Sequence, residues 1–309
     1  MSPFHFSVVI PAYNAAKTLR STVVSVLLQT DQDFEIVIVD DGSTDETLKV
    51  MLDLAGMDWR IRIVSTPNSG VSATRNFGAK MANGRFLAFL DADDQWHPEK
   101  LAQHRALHTL SPTLTASFGQ VEFAADIGEV LESSRTRSKV PAGHLDIRDV
   151  VIENPACTTS NFVIDREFFA KIGGFDETLR YAEDQELLAR VISDGGLIRG
   201  IDNPLVRYRM SEDGLSCDFE AMLEGWRSFA SLWISGQELA RAEAIYCRYL
   251  TRRALRAGAT MEVARSYALR GLNADRAGFM EAGARSYLTL GGVIAGGVMP
   301  ASVRRAVFA

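Results

Sequence analysis

Three carboxylates, Asp91, Asp93 and Asp94, fall within four residues at the carboxyl end of the apolar run Phe86-Leu87-Ala88-Phe89-Leu90. Acids this close repel one another unless a cation or a set of hydrogen bonds compensates them. Hard divalent ions take oxygen ligands, and Mg²⁺ is commonly held by one or two carboxylates together with a substrate's phosphates. One reading of this stretch is therefore chemistry on a metal-bridged nucleotide diphosphate. The other is a polar turn into a helix near Pro98, since proline suits a first helical turn and acids favour its positive end.

A second acidic strand end weighs towards chemistry. The largely apolar run Phe34-Glu35-Ile36-Val37-Ile38-Val39 ends in Asp40 and Asp41, and Ser43 with Glu46 has the spacing of a capping box. Capping accounts for Ser43 but for neither aspartate. The elements that must position these acids alternate: strands over 6–11, 34–40, 60–65 and 85–90, with helical spacing over 15–29 and 71–82. Such alternation predicts an α/β fold, a doubly wound, mostly parallel sheet with helices on both faces. Open sheets of this kind bind ligands outside the carboxyl ends of their strands, so both acidic clusters are expected to face one crevice. No Gly-x-Gly-x-x-Gly follows the first strand and no Gly-Lys-Ser/Thr loop occurs, which disfavours a dinucleotide dehydrogenase and a P-loop ATPase.

Four segments run in order through the first hundred residues: Val9-Ile10-Pro11-Ala12-Tyr13-Asn14, Val39-Asp40-Asp41-Gly42-Ser43-Thr44-Asp45, Asn68-Ser69-Gly70 with Ala73-Thr74-Arg75-Asn76, and Phe89-Leu90-Asp91-Ala92-Asp93-Asp94. With these the chain resembles inverting, bacterial-type family 2 glycosyltransferases of the GT-A fold. The pattern continues through Thr158-Thr159-Ser160-Asn161, Gly173-Gly174-Phe175-Asp176-Glu177 and Tyr181-Ala182-Glu183-Asp184. The resemblance implies roles. Asp184 is the catalytic base, Asp93 is the main ligand of Mn²⁺ or Mg²⁺, and Asp91 contacts the ribose or the metal shell. Asp94 is a further candidate for either task. Asp40 and Asp41 accept hydrogen bonds from the nucleobase, and Pro11 and Tyr13 line the donor site. Arg75 positions the acidic loop or the diphosphate, while Trp96 and Glu183 lie on the acceptor side.

Each assignment has a plainer counterpart. Acids at a first helical turn serve helix electrostatics, an arginine in a helix is often solvated, and Trp96 is as well suited to covering the core. The family often places a metal-binding histidine after its last core strand, in Tyr-Arg-x-His; here Val206-Arg207-Tyr208-Arg209-Met210-Ser211 puts Ser211 there and leaves charge compensation to Arg209. The five histidines lack convincing metal-ligand spacing and are expected at the surface.

Composition bounds the rest. The 309 residues, 47% hydrophobic and 23% charged, suit one sizeable core with a smaller appendage. A net charge of −6 without a long basic run argues against nucleic acid as a partner. Three cysteines, Cys157, Cys217 and Cys247, are too widely spaced for a disulfide framework or a zinc site. No charged region followed by a long apolar stretch opens the chain, so no signal peptide is expected. The segment 124–155 breaks the alternation and reads as a variable acceptor-side region. From 218 only helices are expected, with Arg241, Arg248, Arg252, Arg253 and Arg256 on a solvated surface. The apolar, glycine-rich stretch 287–300 falls short of the ~20 residues needed to span a bilayer; it packs on those helices or lies at a membrane surface with Arg304 and Arg305.

The expected organisation is a GT-A domain over 1–217 and a helical region over 218–309. The expected activity is metal-dependent, inverting transfer of a sugar from a nucleotide diphosphate sugar, foremost a UDP-sugar, to a glycan or lipid-linked acceptor in cell-envelope or extracellular polysaccharide synthesis. The expected place is the cytoplasm, at the inner face of the cell membrane. Alternatives are a nucleotidyltransferase of similar core, against which Pro11-Ala12-Tyr13-Asn14 replaces the usual glycine-rich basic loop, or a non-catalytic carbohydrate-binding relative.

Overall fold

The computed structural model describes residues 5–125, 136–210, 218–297, 299 and 307–308. The chain divides into two compact units, Met1–Asp146 with Pro155–Met210, and Ile147–Asn154 with Ser211–Ala309. The segment 147–154 thus groups with the C-terminal helices.

The first unit contains an eight-stranded sheet in the order β3-β2-β1-β4-β7-β6-β8-β5. β1 (Phe6–Ala12), β2 (Phe34–Asp40), β3 (Ile61–Ser65) and β4 (Phe86–Phe89) alternate with α1 (Leu19–Leu27), α2 (Thr47–Met57) and α3 (Val71–Met81). These four strands pair in parallel. Every residue of β1, β2 and β4 is buried, which is why they read as near-continuous apolar runs rather than alternating ones. Phe6, Ile10, Phe34, Ile36 and Phe86 form one core cluster with Leu19 and Val23 of α1 and Met51 and Leu54 of α2. Parallel pairing brings the carboxyl ends of β1, β2 and β4 to the same edge.

Beyond β4 the winding adds antiparallel pairings to the sheet. β5 (Gln95–Trp96), α4 (Lys100–Leu110), β6 (Ala116–Ala125), α5 (Ile147–Ile152), β7 (Val163–Asp165), α6 (Arg166–Lys171), α7 (Glu183–Ser193) and β8 (Ile198–Met210) follow. β7 runs antiparallel to β4 and β6, β5 antiparallel to β8, and β6 parallel to β8. The sheet is therefore mixed. Among the described residues the α-helix between β6 and β7, α5, groups with the second unit.

The second unit consists of α5 with α8 (Phe219–Ala230), α9 (Gly236–Ala257), α10 (Met261–Ala274), α11 (Arg276–Met280) and α12 (Ala284–Ala295), and no strand occurs among its described residues. Trp226 is fully buried, stacks on Tyr246 at 4.7 Å and donates from Nε1 to Val151 O at 3.0 Å, fastening α5 to α8. The arginines of α9 were expected on a solvated surface, and not all of them are. Arg248 is buried and its guanidinium donates to Gly278 O (2.9 Å) and Phe279 O (3.0 Å), because a carbonyl pair in α11 offers the partners water would otherwise supply. In α12, Ser286, Thr289, Gly292 and Val293 are buried while Tyr287, Leu288 and Ile294 are exposed. No described helix is long and apolar enough to cross a membrane.

Candidate functional site

The acidic loop begins where Leu90 N donates to Val9 O at 3.0 Å, and it closes through Asp94 N on Asp91 O at 3.2 Å. Its three carboxylates then part company. Asp94 turns inward, accepting from Ser160 Oγ at 2.6 Å and Arg209 N at 2.8 Å. Burial, and then the charges of Asp93 and Asp91, push its pKa well above the usual carboxylate range. The expectation that Asp94 joins the metal or donor is corrected: both its oxygens anchor the loop. Ser160, fully buried, is the centre of that anchor. Its Oγ also accepts from Asp91 N (3.0 Å), and its carbonyl accepts from Trp96 Nε1 (2.8 Å). Trp96 is 2% exposed, so it is a core residue rather than an acceptor platform.

Asp93 differs from Asp94. Burial, followed by the neighbouring charge of Asp91, pushes its pKa up to about 6, against the pull of Arg209 and Arg75. Its carbonyl accepts from Arg209 Nε at 2.8 Å. A buried carboxylate raised by a nearby acid is one that a cation stabilises, and in that respect the loop fits a divalent ion. Among the described residues no group of three or more metal-capable side chains exists. Phosphate oxygens and water would have to complete the shell, as Mg²⁺ tolerates well.

Arg75, in α3, is 3% exposed and not a solvated arginine. Its Nη2 donates to Asp91 Oδ1 at 2.6 Å and its Nη1 to Glu183 Oε1 at 3.1 Å, across 16 and 108 residues of sequence. Burial works against its charge, yet Asp91 and Glu183 more than offset this and its pKa rises. The next residue fixes the same geometry. Asn76 Nδ2 donates to Phe175 O (2.9 Å) while its Oδ1 accepts from Phe175 N (2.8 Å), clamping the chain that leads to α7. Gly174 is required there: its φ is +73° and an added Cβ would stand 2.4 Å from Asn76 Oδ1.

At the start of α7, Ala182 adopts a left-handed conformation with φ 59°. Among the described residues the other non-glycine residues with positive φ are Asn14 and Cys157, and strain of this kind gathers at functional sites. Glu183 is held by Arg75, and its pKa is raised by burial first and by Asp184 second. Asp184 is half-buried, accepts from Gln185 N at 2.8 Å, and borders a small apolar pocket with Thr158, Thr159, Phe162, Phe175, Leu187 and Leu188.

The loops after β1 and β2 lock together. Asn14 N donates to Ser43 Oγ (2.9 Å), and Asn14 Oδ1 accepts from Thr44 N (2.8 Å). Ser43 is therefore not the capping residue of a capping box; α2 starts at Thr47, whose N–H is taken by Asp45 at 3.0 Å. Asp40 accepts from Ser43 N (3.1 Å) and Ser65 Oγ (2.7 Å). Asp41 accepts from Ser69 N (2.7 Å) and Gly70 N (3.1 Å), fixing the entry to α3. Asp40 is 2% and Asp41 5% exposed, and these contacts fix the loops that follow β2 and β3. Pro11 is buried within β1, and Tyr13, just after it, is 54% exposed.

The histidines were expected at the surface, and two are not. His104 and His108 are buried around Ser117 Oγ, at 2.7 and 2.9 Å, and fully buried Lys100 reaches His104 and Asn161 O. Ser160 and Arg209 gave no sign from spacing that they hold the acidic loop, because their partners lie 66 and 115 residues away. The Ser211 position and Cys217 lie outside the described residues. Ser160→Ala removes a donor to Asp94 and an acceptor for Asp91 N, and we expect about 1–3 kcal/mol of destabilisation. Thermal or denaturant unfolding measures this, and an unchanged stability would remove Ser160 from the anchor.

The comparisons with known proteins converge. The family model described as glycosyl transferase family 2 matches residues 7–173. TuaG of Bacillus subtilis, named for teichuronic acid biosynthesis, is 28% identical over 236 residues, covering 76% of this chain and 88% of that protein. The Escherichia coli UDP-Glc:alpha-D-GlcNAc-diphosphoundecaprenol beta-1,3-glucosyltransferase WfgD is 26% identical over 230 residues, covering 73% and 85%. The crystal structure of S. aureus TarS 1-349 in complex with UDP-GlcNAc superposes with a TM-score of 0.58 at 20% identity, covering 99% of this chain and 90% of that one. The fold is GT-A, and with the family model spanning more than half of its length the chain belongs to glycosyl transferase family 2.

Proposed function

We propose that this glycosyltransferase moves a sugar, with inversion, from a UDP-sugar to a hydroxyl of a glycan or lipid-linked acceptor in cell-envelope polysaccharide synthesis. The observation that carries the reading is the Arg75 bridge, which ties Asp91 of the acidic loop to Glu183, next to Asp184. A leaving-group site and a proton acceptor are thereby held in register by one buried guanidinium. The names of WfgD and TuaG and the ligand of the TarS structure support the donor class and the pathway. The exposed Tyr287, Leu288 and Ile294 of α12 support a peripheral contact with the inner face of the membrane.

Tyr13, Asp40 and Asp41 bind the nucleoside, and Arg75 orients Asp91 towards the ribose or diphosphate. Asp184 accepts the proton of the acceptor hydroxyl as that oxygen attacks the anomeric carbon from the face opposite the diphosphate. Asp93, with Asp91, would hold Mn²⁺ or Mg²⁺, whose chemistry is to neutralise charge developing on the departing diphosphate.

Asp93→Asn is expected to keep the fold and the metal-free affinity for UDP while losing the gain in affinity that Mn²⁺ provides. Calorimetric titration of UDP with and without Mn²⁺ tests this, and an equal metal-dependent gain in variant and wild type removes Asp93 from the role. Protons compete with the cation for a carboxylate whose pKa is pushed up to about 6. The metal-dependent gain is therefore full well above pH 6 and declines as the pH falls through it.

A further inference from the structure

β8 carries Arg207 and Arg209 two residues apart, which puts both on one face of the sheet. Arg209 is engaged with the acidic loop through Asp93 O. Arg207 sits opposite Gln95 of β5 and Glu122 of β6. Its side chain is only 27% exposed, and among the described residues the acid oxygen it faces, Glu122 Oε2, is 3.8 Å from Nε. That is beyond hydrogen-bond distance. Nε is buried without an acceptor.

Glu122 is already taken. It is 1% exposed, with Arg137 Nη2 at 2.8 Å and His97 Nε2 at 3.0 Å. Burial, and then the charge of Arg207, lowers the pKa of His97, so at neutral pH the imidazole adds no charge. Among the described residues, two arginines against one glutamate leave one surplus positive charge, on a guanidinium whose Nε has no acceptor. Leaving such a group desolvated is costly unless a ligand completes it. A planar fork of five donors matches a phosphate in bidentate fashion better than any other common anion partner except a carboxylate.

The strand order bears on where that phosphate comes from. β2 and β1, with Tyr13, Asp40 and Asp41 at their carboxyl ends, lie to one side of β4, while β8 and β5 lie at the opposite edge of the sheet. The acidic loop runs from β4 to β5, between the two. A donor diphosphate that reaches Asp93 from the nucleoside side leaves Arg207 to an anion arriving from the other side. We propose that Arg207, backed by Arg137, is a binding site for a phosphate or diphosphate group carried by the acceptor. This rests on the glycosyl-transfer reading for the owner of the phosphate, and on the geometry of β5, β6 and β8 for the site itself.

Inorganic pyrophosphate is the probe, titrated calorimetrically in EDTA into the full chain, with and without saturating UDP, for wild type and Arg207→Gln. The expected result is pyrophosphate binding that persists when UDP is saturating and weakens about tenfold or more in Arg207→Gln, the size of effect expected for lost charge-assisted hydrogen bonds. Arg207→Lys, which keeps the charge but not the fork, should fall between. Unchanged thermal unfolding in either variant establishes that the loss is local. Equal pyrophosphate affinity in wild type and both variants overturns the proposal. So does Arg207-dependent binding that disappears on adding UDP, since the anion site would then be the donor's own. Failure of UDP to bind at all counts against the donor reading of the preceding subsection, and the comparison between wild type and variants still decides whether Arg207 holds a phosphate.

Discussion

Asp184→Asn should lower the rate of sugar transfer by ~10²–10⁴-fold while leaving UDP-sugar affinity unchanged, the signature of a lost general base. The amide preserves the side chain's shape and can still accept from Gln185 N, the contact that Asp184 Oδ1 makes at 2.8 Å. It cannot take up the acceptor's proton. Binding is spared because the proposed donor contacts lie on other elements, at the carboxyl ends of β1, β2 and β4. Single-turnover transfer with UDP-sugar, together with the anomeric configuration of the product, checks the claim. Transfer at the wild-type rate would remove Asp184 as the base, and a product retaining the donor's configuration would remove the single-displacement mechanism. Glu183→Gln is the companion: Glu183 is occupied by Arg75, so its loss should disturb the register of the site rather than proton uptake.

Arg75→Met should destabilise the fold by about 3–5 kcal/mol, the range for stripping one partner from a buried ion pair. Both acids that Arg75 serves have limited access to water, with Asp91 and Glu183 side chains 27% and 17% exposed. Methionine fills much of the volume and can still pack near Phe175, over whose ring the guanidinium lies at 5.4 Å. The loss is therefore electrostatic. Adding Glu183→Gln to Arg75→Met should recover part of the stability, because one uncompensated carboxylate disappears. Denaturant unfolding measures both steps. A loss below about 1 kcal/mol for Arg75→Met would place the bridge among ordinary surface ion pairs.

Much of the parallel half of the sheet was legible because its strands are buried on both faces. Segments such as Phe34–Asp40 then declare themselves as continuous apolar runs with acids at their ends. The mixed half was less legible. β5 and β7 are two and three residues long, too short for any period to register, and they exist because longer neighbours supply their hydrogen bonds. Arg248 illustrates the same limit in the second unit: helical spacing placed it on a polar stripe, whereas two carbonyls of α11 made burial tolerable.

Residue types and order by themselves determined that acids stand at the ends of β2 and β4 and that a glutamate and an aspartate open α7, and the motifs they form carry the resemblance to family 2 glycosyltransferases. Which way each acid points was decided only by the tertiary structure. Asp91, Asp93 and Asp94 are near-equivalent in sequence, yet Ser160 and the Arg209 backbone draw Asp94 inward, and Arg75 draws Asp91 sideways. Trp96 was likewise turned into the core by the carbonyl of Ser160. Local propensity ranks these side chains alike. In a desolvated turn, orientation follows the donors within about 3 Å, and here those donors come from strands and helices far along the chain.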